Sequence, residues 1–349
     1  GLGLARTQSG RLLGHLVLDV GVSGGYERNP LVVTDRAQNA PGPWSDARNP
    51  LGQYNPFHRR VASLLTDRLS TEATVSLGLF DWVQLYAALP VTLWQQRGEG
   101  ISQATTPFGP VNEFNLGDLR FGGKVRLLRG EDFFLLPDVA VVAQLMVPVG
   151  LGFHLVTVDG FVPRFNPGTA GWAQGYTSEG FPSLITELAI SRELFGVFAG
   201  VNAGVRLRRP YELLQLTISH EAVVRAGLGF KGRSLARHLA FMRFLPVEAG
   251  VEAQASNALI HPYVSVPFVT PGAGNAVSVR TPPLRDFIQP SLEVSAFVGL
   301  DVLGIHPYVG GGLGVLSTWG TPDWRIMGGL RVVPTELLDA VRSGKAKDR

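Results

Sequence analysis

The chain has 349 residues, of which 45% are hydrophobic and only 17% charged, with 43 glycines and a mean hydropathy of +0.15. The absence of cysteine excludes disulfides and thiolate metal sites, and a formal net charge of +3 without basic runs excludes a phosphate-tracking, nucleic-acid-binding surface. No apolar run reaches the ~18 residues that a membrane helix needs; Val139 to Val147 is interrupted by Gln144 and bounded by Pro137 and Pro148.

The first residues show neither a basic n-region nor an apolar h-region, so the chain reads as mature or trimmed. Period-two alternation then recurs almost to the end. It predicts twelve strands, over 11–26, 62–80, 82–97, 115–129, 133–150, 180–194, 196–209, 215–231, 239–257, 286–302, 304–319 and 322–333. Asp19 falls on the polar face of the first and Glu72 on that of the second. In the fourth, Leu119, Phe121, Gly123, Val125 and Leu127 oppose Arg120, Gly122, Lys124 and Arg126. Asp138 and Glu187 take the polar faces of the next two. Phe198, Gly200, Asn202, Gly204 and Arg206 then alternate with Val197, Ala199, Val201, Ala203 and Val205. Glu221 and Arg225, Glu248 and Glu252, and Glu293 follow, and Arg325 and Arg331 face away from Trp324, Ile326 and Leu330.

A soluble sandwich would pack bulky apolar faces on each other. Here one face is aliphatic and the other mixes charge with glycine, which would only weaken strands on a solvent face. The connections also alternate between short ones, near 80–82, 129–132, 195–196, 231–238 and 303–304, and others that are mostly longer, near 27–61, 98–114, 151–179, 210–214, 258–285 and 320–321. Both features predict an all-β fold: a transmembrane antiparallel up-and-down β-barrel of about twelve strands in the bacterial outer membrane, with short periplasmic turns and long extracellular loops. The barrel would occupy 1–333, and 334–349 would be a periplasmic linker. Trp82, Trp94, Trp319 and Trp324 near strand ends are expected in interfacial aromatic girdles, against outer-membrane lipid and lipopolysaccharide.

The lumen-facing charges nearly balance, which favours a bracing ion-pair network over a one-sign selective constriction. Twelve strands permit a small pore. The loops 151–179 and 258–285, with Phe161, Phe165, Trp172 and Tyr176, are long enough to plug it or to form a partner surface. Gly227-Leu228-Gly229-Phe230-Lys231-Gly232 matches a dinucleotide fingerprint but has no parallel βαβ setting, and reads as a strand end and turn. Ser219 and His220 cannot form a lipase pair, because adjacent strand residues face opposite ways. No histidine pairing frames a metal, and neither catalytic, cofactor nor metal residues are expected.

Asn115-Leu116-Gly117-Asp118-Leu119-Arg120-Phe121-Gly122-Gly123-Lys124 resembles a strand opening of outer-membrane barrels. Gly320-Thr321-Pro322-Asp323-Trp324-Arg325, continued by Ile326-Met327-Gly328-Gly329-Leu330-Arg331, resembles the last hairpin of large-barrel OmpA-family proteins. That resemblance implies a non-enzymatic envelope anchor. Its loops would meet a surface adhesin or lipoprotein partner, as in the barrel partner of an outer-membrane-exchange adhesin, and a C-terminal domain absent from this sequence would bind peptidoglycan. The alternative is a passive channel or transporter for small solutes.

Overall fold

The computed structural model describes residues 9, 12–35, 59–97, 114–130, 136–149, 182–209, 211–213, 216–232, 247–259, 264–269, 276–281, 291–302, 304–316 and 321–334. The strands are β1 (Leu18–Asp35), β2 (Arg59–Leu79), β3 (Val83–Arg97), β4 (Asn115–Leu116), β5 (Leu119–Leu128), β6 (Asp138–Val147), β7 (Ser183–Leu194), β8 (Val197–Arg208), β9 (Tyr211–Leu213), β10 (Leu216–Ile218), β11 (Glu221–Lys231), β12 (Val247–Ala258), β13 (Val264–Val269), β14 (Ala276–Thr281), β15 (Ser291–Leu300), β16 (Ile305–Leu316) and β17 (Trp324–Val332).

The main sheet runs β2-β1-β17-β16-β15-β12-β11-β8-β7-β6-β5-β3, with the two-residue β4 beside β3, and a β2–β3 ladder closes it. Twelve strands therefore form a ring in which every neighbour is antiparallel. Closure removes the sheet edges, so the backbone groups of the wall are satisfied without water. Leu85, Phe121, Val125, Leu188, Val201, Leu228, Val251, Val309, Ile326 and Leu330 are all exposed on the outer face. An apolar belt on every strand is untenable in water and is what a barrel presents to lipid.

Inside, glycine makes room for aromatic rings. Across register, Tyr86 meets Gly122, Phe198 meets Gly229, Phe297 meets Gly250 and Tyr308 meets Gly329. A Cβ on Gly122 would stand 2.1 Å from the Tyr86 ring, and one on Gly229 2.4 Å from that of Phe198. The rings thus lie flat over the opposite backbone instead of projecting into the lumen. Gly227 and Gly229, from the nucleotide-like fingerprint, sit in the antiparallel β11.

Three expectations need correction. The first strand begins at Leu18 rather than residue 11 and runs on to Asp35, past an irregularity after Arg28. The backbone turns back at Gly14, where Val17 N–H donates to its carbonyl (3.1 Å), and Leu16 takes φ 57°. Residues 210–214 are not simply a loop, because β9 and β10 prolong the β8–β11 hairpin. Likewise 258–285 contains the β13–β14 hairpin, and the four strands form a second sheet, β14-β13-β10-β9. The loop 151–179, Trp319 and the tail from 335 lie outside the described residues.

Gly122→Val drives two methyl groups into the Tyr86 ring and is expected to destabilise the barrel by about 1–3 kcal/mol in denaturant titrations. The adjacent Gly123 faces outward, with nothing nearer to a Cβ than 3.6 Å, and Gly123→Ala should leave stability unchanged or raise it slightly.

Candidate functional site: a charged lumen entered by the N-terminal segment

Alternation puts the polar half of each strand inside, where a charge is cheap only if it is paired and hydrogen-bonded. Arg325 donates to Glu27 (2.8 Å) and to Glu293 (2.7 Å), and Arg68 donates to Glu27 (2.9 Å). One network thus links β2, β1, β17 and β15. The Arg325–Glu293 pair steps over β16 at Gly312, where a Cβ would meet the Glu293 carboxylate at 2.9 Å. Arg225 reaches Glu187 (2.5 Å) across β8, over Gly204, and Arg120 reaches Glu72 across β3. Arg331 pairs with Asp19 (2.7 Å), and Arg208 pairs with Glu221. Each of these pairs joins strands that are adjacent or one strand apart in the ring. The charges brace the wall along its circumference and none of these pairs spans the lumen.

The remaining predicted lumen charges have other surroundings. Asp138, almost fully buried, accepts the Gly130 N–H (2.9 Å), and Arg206 lies 3.5 Å from the Met146 sulfur. Glu252 is buried beside Ser295 in register. Arg126 shares the inward face of β5 with Arg120 and Lys124. Glu248 comes together with Asp301 and His306 at the short-turn end. The sequence reading missed Glu27 and Arg68. Glu27 fell in an expected loop, although it continues the alternation of Gly21, Ser23 and Gly25.

What does enter the lumen is the chain's own N-terminal segment. Lys124, 1% exposed, donates to the Ser9 carbonyl (2.5 Å), and the Ser9 hydroxyl meets that of Ser191 (3.1 Å). Leu12 is buried, and Leu13 N–H donates to the Gln84 side chain (3.2 Å). The segment leaves the barrel over Gly78, whose missing Cβ would lie 2.1 Å from the Gly14 carbonyl. It is pinned there by His15 N–H to Asp81 (2.7 Å) and Phe80 N–H to His15 Nδ1 (3.0 Å). Asp81 and Phe80 form the β2–β3 turn with φ of 58° and 55°, so the segment and the strained turn stabilise each other.

Aromatic residues mark the two ends of the belt. Tyr26 and Trp324 stand 5.4 Å apart at the long-loop end, where Trp94 pairs with Leu69 in register. Exposed Phe80, Trp82 and Phe195 mark the short-turn end. His220 Nδ1 accepts the Arg208 N–H (3.2 Å), so that nitrogen is engaged with backbone rather than with a serine.

No protein-family model and no curated protein matches the chain. Among solved structures, an outer membrane channel from Pseudomonas putida F1 is similar over 95% of this chain and 99% of that one, with 8% identity and a TM-score of 0.54. The chain is an outer-membrane β-barrel. LpxR from Salmonella typhimurium is 10% identical with 90% and 99% of the two chains covered, at a TM-score of 0.40. A TodX mutant, a monoaromatic hydrocarbon channel, is 10% identical with 92% and 89% covered, at 0.42. At these scores neither adds to the fold assignment. The aliphatic belt and the closed ring place this barrel in the bacterial outer membrane.

Glu27 is the shared acceptor of two guanidinium groups, so Glu27→Ala takes this carboxylate from Arg68 and leaves Arg325 with Glu293. It is expected to cost about 3 kcal/mol in equilibrium unfolding, and part of that loss should return in the Glu27→Ala/Arg68→Met double variant.

Proposed function

We propose that the protein is a passive channel for small water-soluble solutes, held closed by its own N-terminal segment. The observation that carries this reading is the placement of Ser9 and Leu12 inside the barrel, held by the Lys124 ammonium rather than by a strand ladder. A twelve-stranded ring is wider than the barrels that side chains alone fill. Its ion pairs run along the wall, and its aromatic rings lie flat on glycines. At the short-turn end the described part of the segment lies inside the ring outside any strand ladder, so it can leave without opening the ring. The similar structure from Pseudomonas putida F1 is itself described as an outer membrane channel.

A second reading, an envelope anchor with surface partners and a peptidoglycan-binding continuation, rests on the OmpA-type resemblance of Asn115 to Lys124 and Gly320 to Arg331. It predicts that the full-length protein cosediments with purified peptidoglycan sacculi.

Planar-bilayer recording tests the channel. The native protein should show rare or small conductance steps, and deletion of residues 1–13 should raise open probability. Lys124→Met, which removes the donor to Ser9, should shift it in the same direction. Silence from all three at every salt concentration would exclude a pore.

A further inference from the structure

The geometry points to a divalent metal site at the short-turn mouth of the lumen, formed by Glu248, Asp301 and His306. Asp301 and His306 are five residues apart, and Glu248 lies more than fifty residues before them. Register brings them together: β12 pairs with β15 and β15 with β16, while the Val302–Ile305 bridge places Asp301 opposite His306. On β12, β15 and β16 the exposed Val251, Val298 and Val309 set the outer face, so Glu248, Asp301 and His306 all fall on the inner one. One donor atom from each lies within 4.8 Å of the others, and each residue is partly buried.

These distances approach a coordination shell. Ligands 2.0–2.2 Å from a tetrahedral ion stand about 3.3–3.6 Å from one another, and His306 Nδ1 is already 3.7 Å from Asp301 Oδ1. Small side-chain rotations close the remainder, with the backbones fixed by three consecutive strands. The cations nearest in register have carboxylate partners on other strands. Lys231, opposite Glu248, holds its ammonium 3.9 Å from Glu193 and 5.7 Å over the Phe198 ring. Arg331, opposite His306, donates to Asp19. Two carboxylates and an imidazole thus face one another at the rim.

The donor set selects the ion. One imidazole nitrogen with two carboxylate oxygens suits Zn²⁺ or a similar first-row ion, whereas Ca²⁺ prefers six to eight oxygens. The remaining coordination positions are open to water. A bound ion would join β12, β15 and β16 at the rim, where their ladders end. This inference does not depend on the channel reading.

Isothermal titration of the purified, chelator-treated full chain in detergent with zinc chloride tests it, together with the thermal unfolding midpoint with and without zinc. One Zn²⁺ per chain and a raised midpoint are expected. His306→Ala and Glu248→Gln should each weaken binding by at least about tenfold and remove the rise in midpoint. His220→Ala, at the other end of the barrel, should change neither. Affinity and stoichiometry unaltered by His306→Ala and Glu248→Gln would overturn the proposal, as would the absence of zinc binding to the native barrel. If either variant is itself less stable, titration of its folded fraction still distinguishes loss of the site from loss of the fold.

Discussion

Lipid offers no hydrogen bonds, and the structure follows from that constraint. A chain with no long apolar helix can cross only as a closed sheet, and closure obliges each strand to turn alternate residues toward lipid and toward the lumen. The outer positions are therefore mostly apolar. Most of the charge carried by the wall is turned into the interior, where it must find a partner. The ion-pair network and the glycine positions are consequences of this crowding, because a pair can pass over an intervening strand only where that strand has little or no side chain. Gly312 beneath Arg325 and Glu293, and Gly204 beneath Glu187 and Arg225, show charge and glycine placed together for one reason.

The same logic changes what balanced lumen charge means. Opposite charges could tie one wall of the barrel to the other and fill it. Here the pairs join strands that are adjacent or one apart, so they stiffen the ring without crossing it. The flat packing of Tyr86, Phe198, Phe297 and Tyr308 on glycines works in the same direction. A near-neutral interior is thus compatible with an unfilled axis.

Much of this was legible in the sequence, because alternation is local and repeated. The twelve strands and the inward face of Arg120, Lys124 and Arg126 could be read from neighbouring residues alone. Where the reading failed, the deciding contact was distant. Leu12 to Val17 looks like the start of a strand, and only Gly78 and Asp81, more than sixty residues away, turn it inward. Glu27 was assigned to the connection 27–61, whereas Arg68 and Arg325 hold it in the sheet. Asp301 and His306 meet across the β15–β16 turn, but Glu248, more than fifty residues earlier in the chain, joins them only through the β12–β15 pairing.

The N-terminal segment differs in kind from the wall it enters. Strands in the ring are bound on both sides by continuous ladders, so none can leave without breaking many hydrogen bonds at once in a medium that replaces none of them. Ser9 and Leu13 are held instead through Lys124, Ser191 and Gln84, side chains at the short-turn end of the barrel. Water entering from the periplasm can replace these hydrogen bonds individually. The stability of the closed ring and the release of the segment are therefore governed by separate interactions, and one can be weak while the other is strong. Lys124, Ser191 and Gln84 link the two, since each belongs to the wall by its backbone and to the segment by its side chain.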